Sequence, residues 1–496
     1  MPWPEWAVYV LRESYRFDFT GIRLFQKGRL MPEPSERIII LGGGFGGLGV
    51  ARRLDQRLPK DSGVEVLLVS RENFFSFTPM LHEVAASDVD LTHVVNPVRK
   101  LLRRVRFFVG DVDMVDLERR IVRVVHGSGG HRHHHDLDFG QLVFALGSTT
   151  NFYGLPGLAE HALPMKSLGD AIALRNHVIA CLEEADTECS ARAGRRAALA
   201  TFVVAGGGFA GVETLAAIND FARDALVFYP NLRPADLRMV LVHSGSEILP
   251  ELDSRLGAYA RQKLLRRGIE IYLKTRVKSA TEGLVVLSDD TEFETRTLVW
   301  TAGTTPHALL STLPCGREAG RLSVNAKLQV EAWPGVWALG DCAWIPDPEG
   351  HPYPPTAQHA IRQGRVLADN VIAHMEGRPK RPFVFRTVGQ LASIGRRAGV
   401  AQIFGLRFSG FFAWWLWRTI YLAKLPGLEK RLRVLIDWTL DLIFSKDLVQ
   451  YATARSPVML AEEVAKDVDS SRNTTRPRAL SRYREETARS ASQERP

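Results

Sequence analysis

Only four of the 496 residues are cysteines, Cys181, Cys189, Cys315 and Cys342, and no two of them form a CxxC pair. That spacing excludes a disulfide framework and a zinc site, and it fits a reducing compartment. Long apolar runs are missing too. No stretch of about 18 uncharged apolar residues occurs, so a conventional membrane-spanning helix is not expected. The opening Met1-Pro-Trp-Pro-Glu-Trp6 lacks the charged and apolar segments of a secretory signal, so the chain is expected to stay in the compartment where it is made. With 45% apolar and 24% charged residues, neither general disorder nor a collagen-like or coiled-coil chain fits. The length suits roughly three domains.

What is present is an internal repeat. Ile40-Leu-Gly-Gly-Gly-Phe-Gly-Gly-Leu-Gly-Val50 is echoed by Val204-Ala-Gly-Gly-Gly-Phe-Ala-Gly-Val-Glu-Thr214, the first glycines standing 164 positions apart (206 minus 42). Each copy follows an apolar β-branched run and precedes a helix-like segment, the order a dinucleotide-binding turn requires. In the first copy Gly42 makes the tight turn, Gly44 lets the backbone approach a pyrophosphate, and Gly47 lets helix and strand pack; Gly206, Gly208 and Gly211 repeat the three roles. A strand at 64–69 and one ending in Phe144-Ala-Leu-Gly-Ser148 accompany the first copy. A strand at 237–242, a helix at 253–267 and Leu298-Val-Trp-Thr-Ala-Gly303 accompany the second. After Val336-Trp-Ala-Leu-Gly-Asp341 a Pro-rich loop leads to a helix near 356–374.

Acids are scarce where a dinucleotide site usually has one, at the end of the second strand, to bind the ribose hydroxyls. The first unit has Val69-Ser70-Arg71-Glu72 there, leaving Arg71 or Glu72 for the ribose, and the second has Val242-His243-Ser244. Neither NADH nor NADPH is excluded on this pattern. Asp341, on a Gly340-Asp341 pair ending an apolar strand, places a carboxylate at the crevice where cofactors bind, with a helix N-cap as the competing reading. Thr356 opens a helix whose N-terminus suits negative charge, or it is a plain helix start. His131-Arg-His-His-His135, flanked by Gly127-Ser-Gly-Gly130, reads as a solvated hairpin tip rather than a metal site.

Taken together these pieces resemble the two-dinucleotide-domain flavoproteins, and within them the type II NADH:quinone oxidoreductases. The resemblance covers about residues 36–450 and rests on Phe77-Thr-Pro-Met-Leu-His-Glu-Val-Ala85, Ala145-Leu-Gly-Ser148, Gly206 to Glu213, Trp300-Thr-Ala-Gly303, Leu339-Gly-Asp341, Pro355-Thr-Ala-Gln358 and the Trp-rich end. It implies an FAD site at Gly42, Gly44, Phe45, Gly47, Thr78, Gly147, Gly340, Asp341, Thr356 and Ala357, and a nicotinamide nucleotide site at Gly206, Gly208, Gly211 and Gly303. It also implies a role beside the nicotinamide and flavin rings for Glu213, whose alternative is simple interaction with its helix N-terminus. Disulfide reductases of this architecture carry a cysteine pair after the first glycine turn, and residues 48–58 hold none. In the resembled family two glutamines four apart line the quinone approach. Here Gln358 matches, Arg362 takes the second place, and Gln363, about 100° further round the helix, is expected to face away.

The expected fold class is α/β: an N-terminal extension (1–35), two Rossmann-like domains, FAD-binding (36–165 and 326–380) and NAD(P)H-binding (166–325), then a C-terminal membrane-association region (381–455) and a disordered tail (456–496). The positive excess of +9 sits partly in 381–450, which carries 11 Lys/Arg, 4 Asp/Glu and four of the ten tryptophans. Within it 432–444 reads as an amphipathic helix whose polar stripe is Lys430, Arg433, Asp437, Asp441 and Ser445. With Phe411 to Leu425 it suits an interface, and Trp3, Trp6 and Tyr9 are further candidates for contact. The expected partners are a membrane quinone and the cytoplasmic face of a membrane, with a homodimer left open and no nucleic acid. A soluble reductase of a ferredoxin or other carrier, or a redox-sensing flavoprotein with little turnover, is the alternative.

Overall fold

Strand β1 (Glu36–Leu41) is fully buried over Ile38 to Leu41, and the glycine turn after it leads straight into α1 (Phe45–Arg57). Then follow β2 (Val64–Ser70), the short α2 (Leu81–Ala85), β3 (Arg106–Val109) and β4 (Gln141–Phe144). The second unit runs through β5 (Ala162–Pro164), α3 (Leu168–Thr187), β6 (Thr201–Ala205), α4 (Phe209–Ala225), β7 (Arg238–His243), α5 (Ser254–Leu265), β8 (Ile269–Leu273) and β9 (Thr297–Trp300). The chain returns through β10 (Val336–Ala338) and α6 (Ala357–Met375), and closes with β11 (Gly389–Ser393), β12 (Gly399–Ile403), β13 (Leu406–Gly410), α7 (Phe411–Lys424) and α8 (Leu428–Leu440). This computed structural model describes residues 36–127, 131–188 and 193–451 and a strand pair at Phe17–Asp18 and Arg23–Leu24. Trp3, Trp6, Tyr9, Cys189 and the 456–496 tail lie outside the described residues.

The two units repeat each other down to single hydrogen bonds. The first sheet has the order β10-β4-β1-β2-β3 and the second β5-β9-β6-β7-β8, all pairs parallel. Gly42 N donates to Val69 O at 2.8 Å, and Gly206 N to Val242 O at 2.9 Å; Ala145 N bonds Leu41 O as Thr301 N bonds Ala205 O. Buried on both faces, the central strands are the apolar runs that parallel sheets demand. The histidine run is one arm of a hairpin. His133–Asp138 pairs antiparallel with Ile121–His126, so His133, His134 and His135 lie in the ladder rather than at the tip.

At the C-terminal end, β11, β12 and β13 form an antiparallel sheet against which α7 packs. The last helix begins about one turn earlier than the sequence pattern suggests, after Gly427 at φ +84°. Two members of its polar stripe, Lys430 and Asp437, turn onto the protein, while Arg433 and Ser445 remain exposed. Asp437 binds His93 Nδ1 at 2.5 Å and Asp90 N at 3.2 Å, and Lys430 Nζ donates to Thr92 O at 2.6 Å. The side left outward carries Leu432, Leu435, Ile436 and Leu440, followed by Leu442, Ile443 and Phe444, all exposed. Among the described residues no helix is long and apolar enough to cross a membrane.

The two kinds of glycine in the first turn differ in what surrounds them. A Cβ on Gly47 would collide with the carbonyl of Gly42, whereas one on Gly44 meets nothing within 4 Å. Gly47→Ala is expected to cost about 1–3 kcal/mol through this overlap, and Gly44→Ala less than about 1 kcal/mol. Denaturant unfolding of the two variants checks the difference, and equal midpoints would contradict it.

Candidate functional site

Two helices of the first unit start with no side-chain cap, α1 at Gly44 and α6 at Thr356, whose hydroxyl is engaged instead with His359 Nδ1 at 2.7 Å; α4 opens the same way at Gly208 in the second unit. None has an acid in its first turn, so each keeps free amide dipoles and partial positive charge, a place for an anion. Phe45 sets its ring edge-on against Phe75 and Phe77, at 4.9 and 5.9 Å, closing the apolar side of the crevice; Thr78 follows, exposed.

Gly147 and Gly340 hold positive φ, +68° and +71°, where β4 and β10 end beside β1. Asp341 points back across this opening. Its Oδ2 accepts from Ser148 Oγ at 2.7 Å and lies 3.6 Å from Lys166 Nζ, which itself donates to Ser148 Oγ at 2.7 Å. The sequence reading missed Ser148 and Lys166 as partners of Asp341. Gln363 is buried rather than turned away, and its Oε1 accepts from Gly340 N at 3.0 Å, so it fixes the corner that presents Asp341. The reason is the tight crossing of α6 over α1, where Gly364 lies against the backbone of Gly46 and carries its neighbour Gln363 inward. Arg71 stands exposed, 3.3 Å from Asp111.

In the second turn a Cβ on Gly206 or Gly211 would overlap the fold itself, while Gly208 faces open space bounded by the Glu251 carboxylate, 3.6 Å from such a Cβ. Gly303 lies under the ring of Tyr153. His243 does not stand free at the strand end. Its ring fills the space beside Gly207, with Nδ1 accepting from Gly207 N at 3.1 Å, and burial holds its pKa below the usual histidine value. The acid beside this turn is Glu251, eight residues beyond the end of β7, where no strand-end pattern would place it.

The three candidate catalytic residues come together around one strand. Gln358 Nε2 donates to Gly389 O at 3.4 Å at the start of β11, and Ser393 N at its end donates to Glu213 Oε1 at 3.0 Å. Arg362 lies beside Gln358, its Nη1 donating to Gln358 O at 2.9 Å and its guanidinium 4.2 Å from the Phe385 ring centroid. Glu213 is the fifth residue of α4, not part of an exposed first turn, and it is buried. Trp417 Nε1 donates to the same Oε1 at 3.1 Å, and Tyr421 bridges from Trp417 to Phe77, with ring centroids at 4.7 and 6.0 Å.

Burial pushes the Glu213 carboxyl up to about 8, against the pull of its two donors. The neighbouring Glu83, bonded by Trp438 Nε1 at 2.9 Å, is raised for the same reason. His82 beside them is held down to about 4 by burial, so burial disfavours the charged form of all three, and His82 Nδ1 approaches Glu213 Oε2 to 4.0 Å. Among the described residues Cys181, Cys315 and Cys342 are unpaired by disulfide, and Cys342 is fully buried and donates to Leu339 O at 3.1 Å, with its thiol raised to about 11 by burial.

The family described as pyridine nucleotide-disulphide oxidoreductase matches residues 36–364, and the NDH2 C-terminal domain matches 388–447. The chain is 30% identical over 438 residues to the type II NADH:quinone oxidoreductase Ndh of Mycobacterium tuberculosis, covering 85% of this chain and 91% of that one. It is 31% identical over 418 residues to the demethylphylloquinone reductase NdbB of Synechocystis sp., covering 82% and 96%. Among solved structures, NDH2 from Plasmodium falciparum in complex with NADH shares the fold with a TM-score of 0.76 at 19% identity, over 84% of this chain and 99% of that one.

The raised carboxyls have a consequence for stability. A carboxyl whose folded pKa exceeds its unfolded value holds its proton longer in the folded state, so its share of stability is complete at low pH and is lost as pH rises toward and past about 8. Glu213→Gln keeps an acceptor for Trp417 and Ser393 without that loss. Its thermal midpoint relative to the parent is expected to rise between about pH 6 and about pH 9; parallel curves in a pH series of melts would contradict the assignment.

Proposed function

The chain belongs to the pyridine nucleotide-disulphide oxidoreductases and, within them, to the type II NADH:quinone oxidoreductases, and from that premise we propose how its residues pass electrons from NADH through FAD to a quinone without proton pumping. The observation that carries the reading is β11, which ties Gln358 at one end and Glu213 at the other to a single strand. When bound, FAD supplies the two-electron carrier that accepts hydride and gives electrons onward.

The residues fit that group. The open Gly44 turn and the α1 N-terminus suit its pyrophosphate, Asp341 with Ser148 and Lys166 its polar chain, and the uncapped α6 N-terminus at Thr356 and Ala357 the ring edge that gains negative charge. In the same reading 36–165 and 326–380 form the FAD-binding domain and 166–325 the nucleotide-binding domain. The second turn holds NADH, with Glu251 placed to favour ribose hydroxyls over a 2'-phosphate by charge. Gln358 and Arg362 line the quinone's approach. Arginine is always charged and only donates, so Arg362 stabilises negative charge on a quinone oxygen as electrons arrive.

The quinone partner is a membrane molecule, and the outward apolar row of α8 with exposed Phe411, Phe412 and Trp415 on α7 supports peripheral attachment through this end, at the cytoplasmic face. A homodimer through the same face is the competing occupant.

Rapid mixing with NADH and then with quinone, following flavin absorbance, tests the electron path. Arg362→Ala is expected to slow reoxidation by quinone about tenfold and to leave reduction by NADH nearly unchanged; slowed reduction instead would remove Arg362 from the quinone side. For attachment, Ile436→Glu with Ile443→Glu is expected to lower partition onto anionic vesicles by about a hundredfold, since each buried isoleucine contributes about 1.5–3 kcal/mol. Unchanged vesicle binding, or a change of oligomeric state without lipid, would reassign that face.

A further inference from the structure

Behind Glu213, on the side away from Gln358, lies a polar cavity of about 40 Å³ that the electron path does not use. His82, Glu83, Asp88, Arg418, Asp441 and Lys446 line it, and exposed Arg396, Arg397 and Leu442 form its outer rim. The volume holds a water or a few, since a single water needs about 10–15 Å³ of such space. Three of its wall atoms are buried with no hydrogen-bond partner: His82 Nε2, Arg418 Nε and Asp441 Oδ1. Buried polar atoms of this kind are met by water in a cavity that can hold it. His82 thus stands between two compartments. It lines the cavity, its Nε2 is buried without a partner, and its Nδ1 lies 4.0 Å from Glu213 Oε2, with Trp417 against the ring at 5.5 Å.

Quinone reduction needs what this arrangement supplies. The hydride from NADH carries two electrons and one proton, while the quinol carries two electrons and two protons, so one proton per turnover comes from solvent. We propose that His82 conducts this second proton from the water-filled cavity at Asp88, Asp441 and Lys446 to Glu213, which delivers it toward the quinone. The proposal rests on the quinone reading above. As Glu213 gives up its proton, the Nδ1 hydrogen of His82 passes to the carboxylate and a proton from cavity water enters at Nε2. The ring keeps one proton throughout, and a flip of the imidazole restores the starting tautomer.

The surroundings of His82 favour such a concerted passage over a charged stop. Burial disfavours the imidazolium, and the charged and titratable groups around it come from every element packed there: Glu83 on α2 and Asp88 after it, Glu213 and Asp220 on α4, Arg396 after β11, Arg418 on α7, and Asp441 and Lys446 after α8. Closing the 4.0 Å gap to hydrogen-bond length takes a side-chain movement of about 1 Å.

The test uses the whole FAD-loaded protein, a short-chain water-soluble quinone, and hexacyanoferrate(III), which takes electrons without protons. His82→Phe is expected to be reduced by NADH and reoxidised by hexacyanoferrate(III) at the parent rates. Its reoxidation by quinone is expected to slow tenfold or more, with a larger solvent deuterium isotope effect and recovery on adding imidazole. His82→Gln, which stays polar but cannot relay a proton, should behave alike and serves where the phenylalanine variant fails to fold. Normal quinone reoxidation, equal slowing with both acceptors, or slowing that imidazole does not relieve would overturn the route. If the parent protein itself is reoxidised by hexacyanoferrate(III) and not by quinone, the quinone reading falls and the route with it.

Discussion

Two indole N–H groups reach inward from the C-terminal helices to two buried carboxyls, Trp417 to Glu213 and Trp438 to Glu83, and the placement of everything after β11 depends on them. An unpaired carboxyl in an apolar interior is costly. Protonated and given a donor, each becomes tolerable only while its tryptophan is seated. Trp417 and Trp438 are accordingly buried, along with Ala413 and Val434, while most of the remaining α7 and α8 surface is not. The same contacts dock the C-terminal helices against α2 and α4 and keep Glu213 in the buried setting that raises its pKa.

That docking explains the inverted face of α8. Once Trp438 is seated, Asp437 and Lys430 fall beside residues 90–93 and bond there, so these two members of the polar stripe are taken up by the protein's own surface. The apolar residues have no protein to bury against. A soluble helix would be arranged the other way round, and a contiguous outward apolar row marks an interaction surface.

The internal repeat shows how one turn was put to two uses. Gly49 and Glu213 are equivalent positions, each two residues past the third glycine of its turn. In the first unit α6 crosses so closely that a Cβ on Gly49 would already touch Ile361 O at 3.5 Å. In the second unit the space is taken by the end of β11, the Trp417 indole of α7 and His82 of α2, which receive a glutamate. The same turn thus supplies a packing site in one half and a buried, hydrogen-bonded carboxyl in the other.

The sequence by itself determined both glycine turns, the strands beside them, the absence of a redox cysteine pair and the family. These are local: a turn's glycines and the apolar runs of parallel strands are written in adjacent residues, because backbone sterics and strand burial act over a few positions. It also pointed to Asp341, Glu213 and Gln358. Only the tertiary structure decided their surroundings. Ser148 and Lys166 reach Asp341 across the sheet, Gln363 turns inward because α6 lies against α1, and His82 and Glu83 become a polar seam only when Trp417, Trp438 and Arg418, more than 300 residues later, close over them. Burial, partner and direction are properties of the packed chain, since a side chain's environment is made by residues that no local pattern brings next to it.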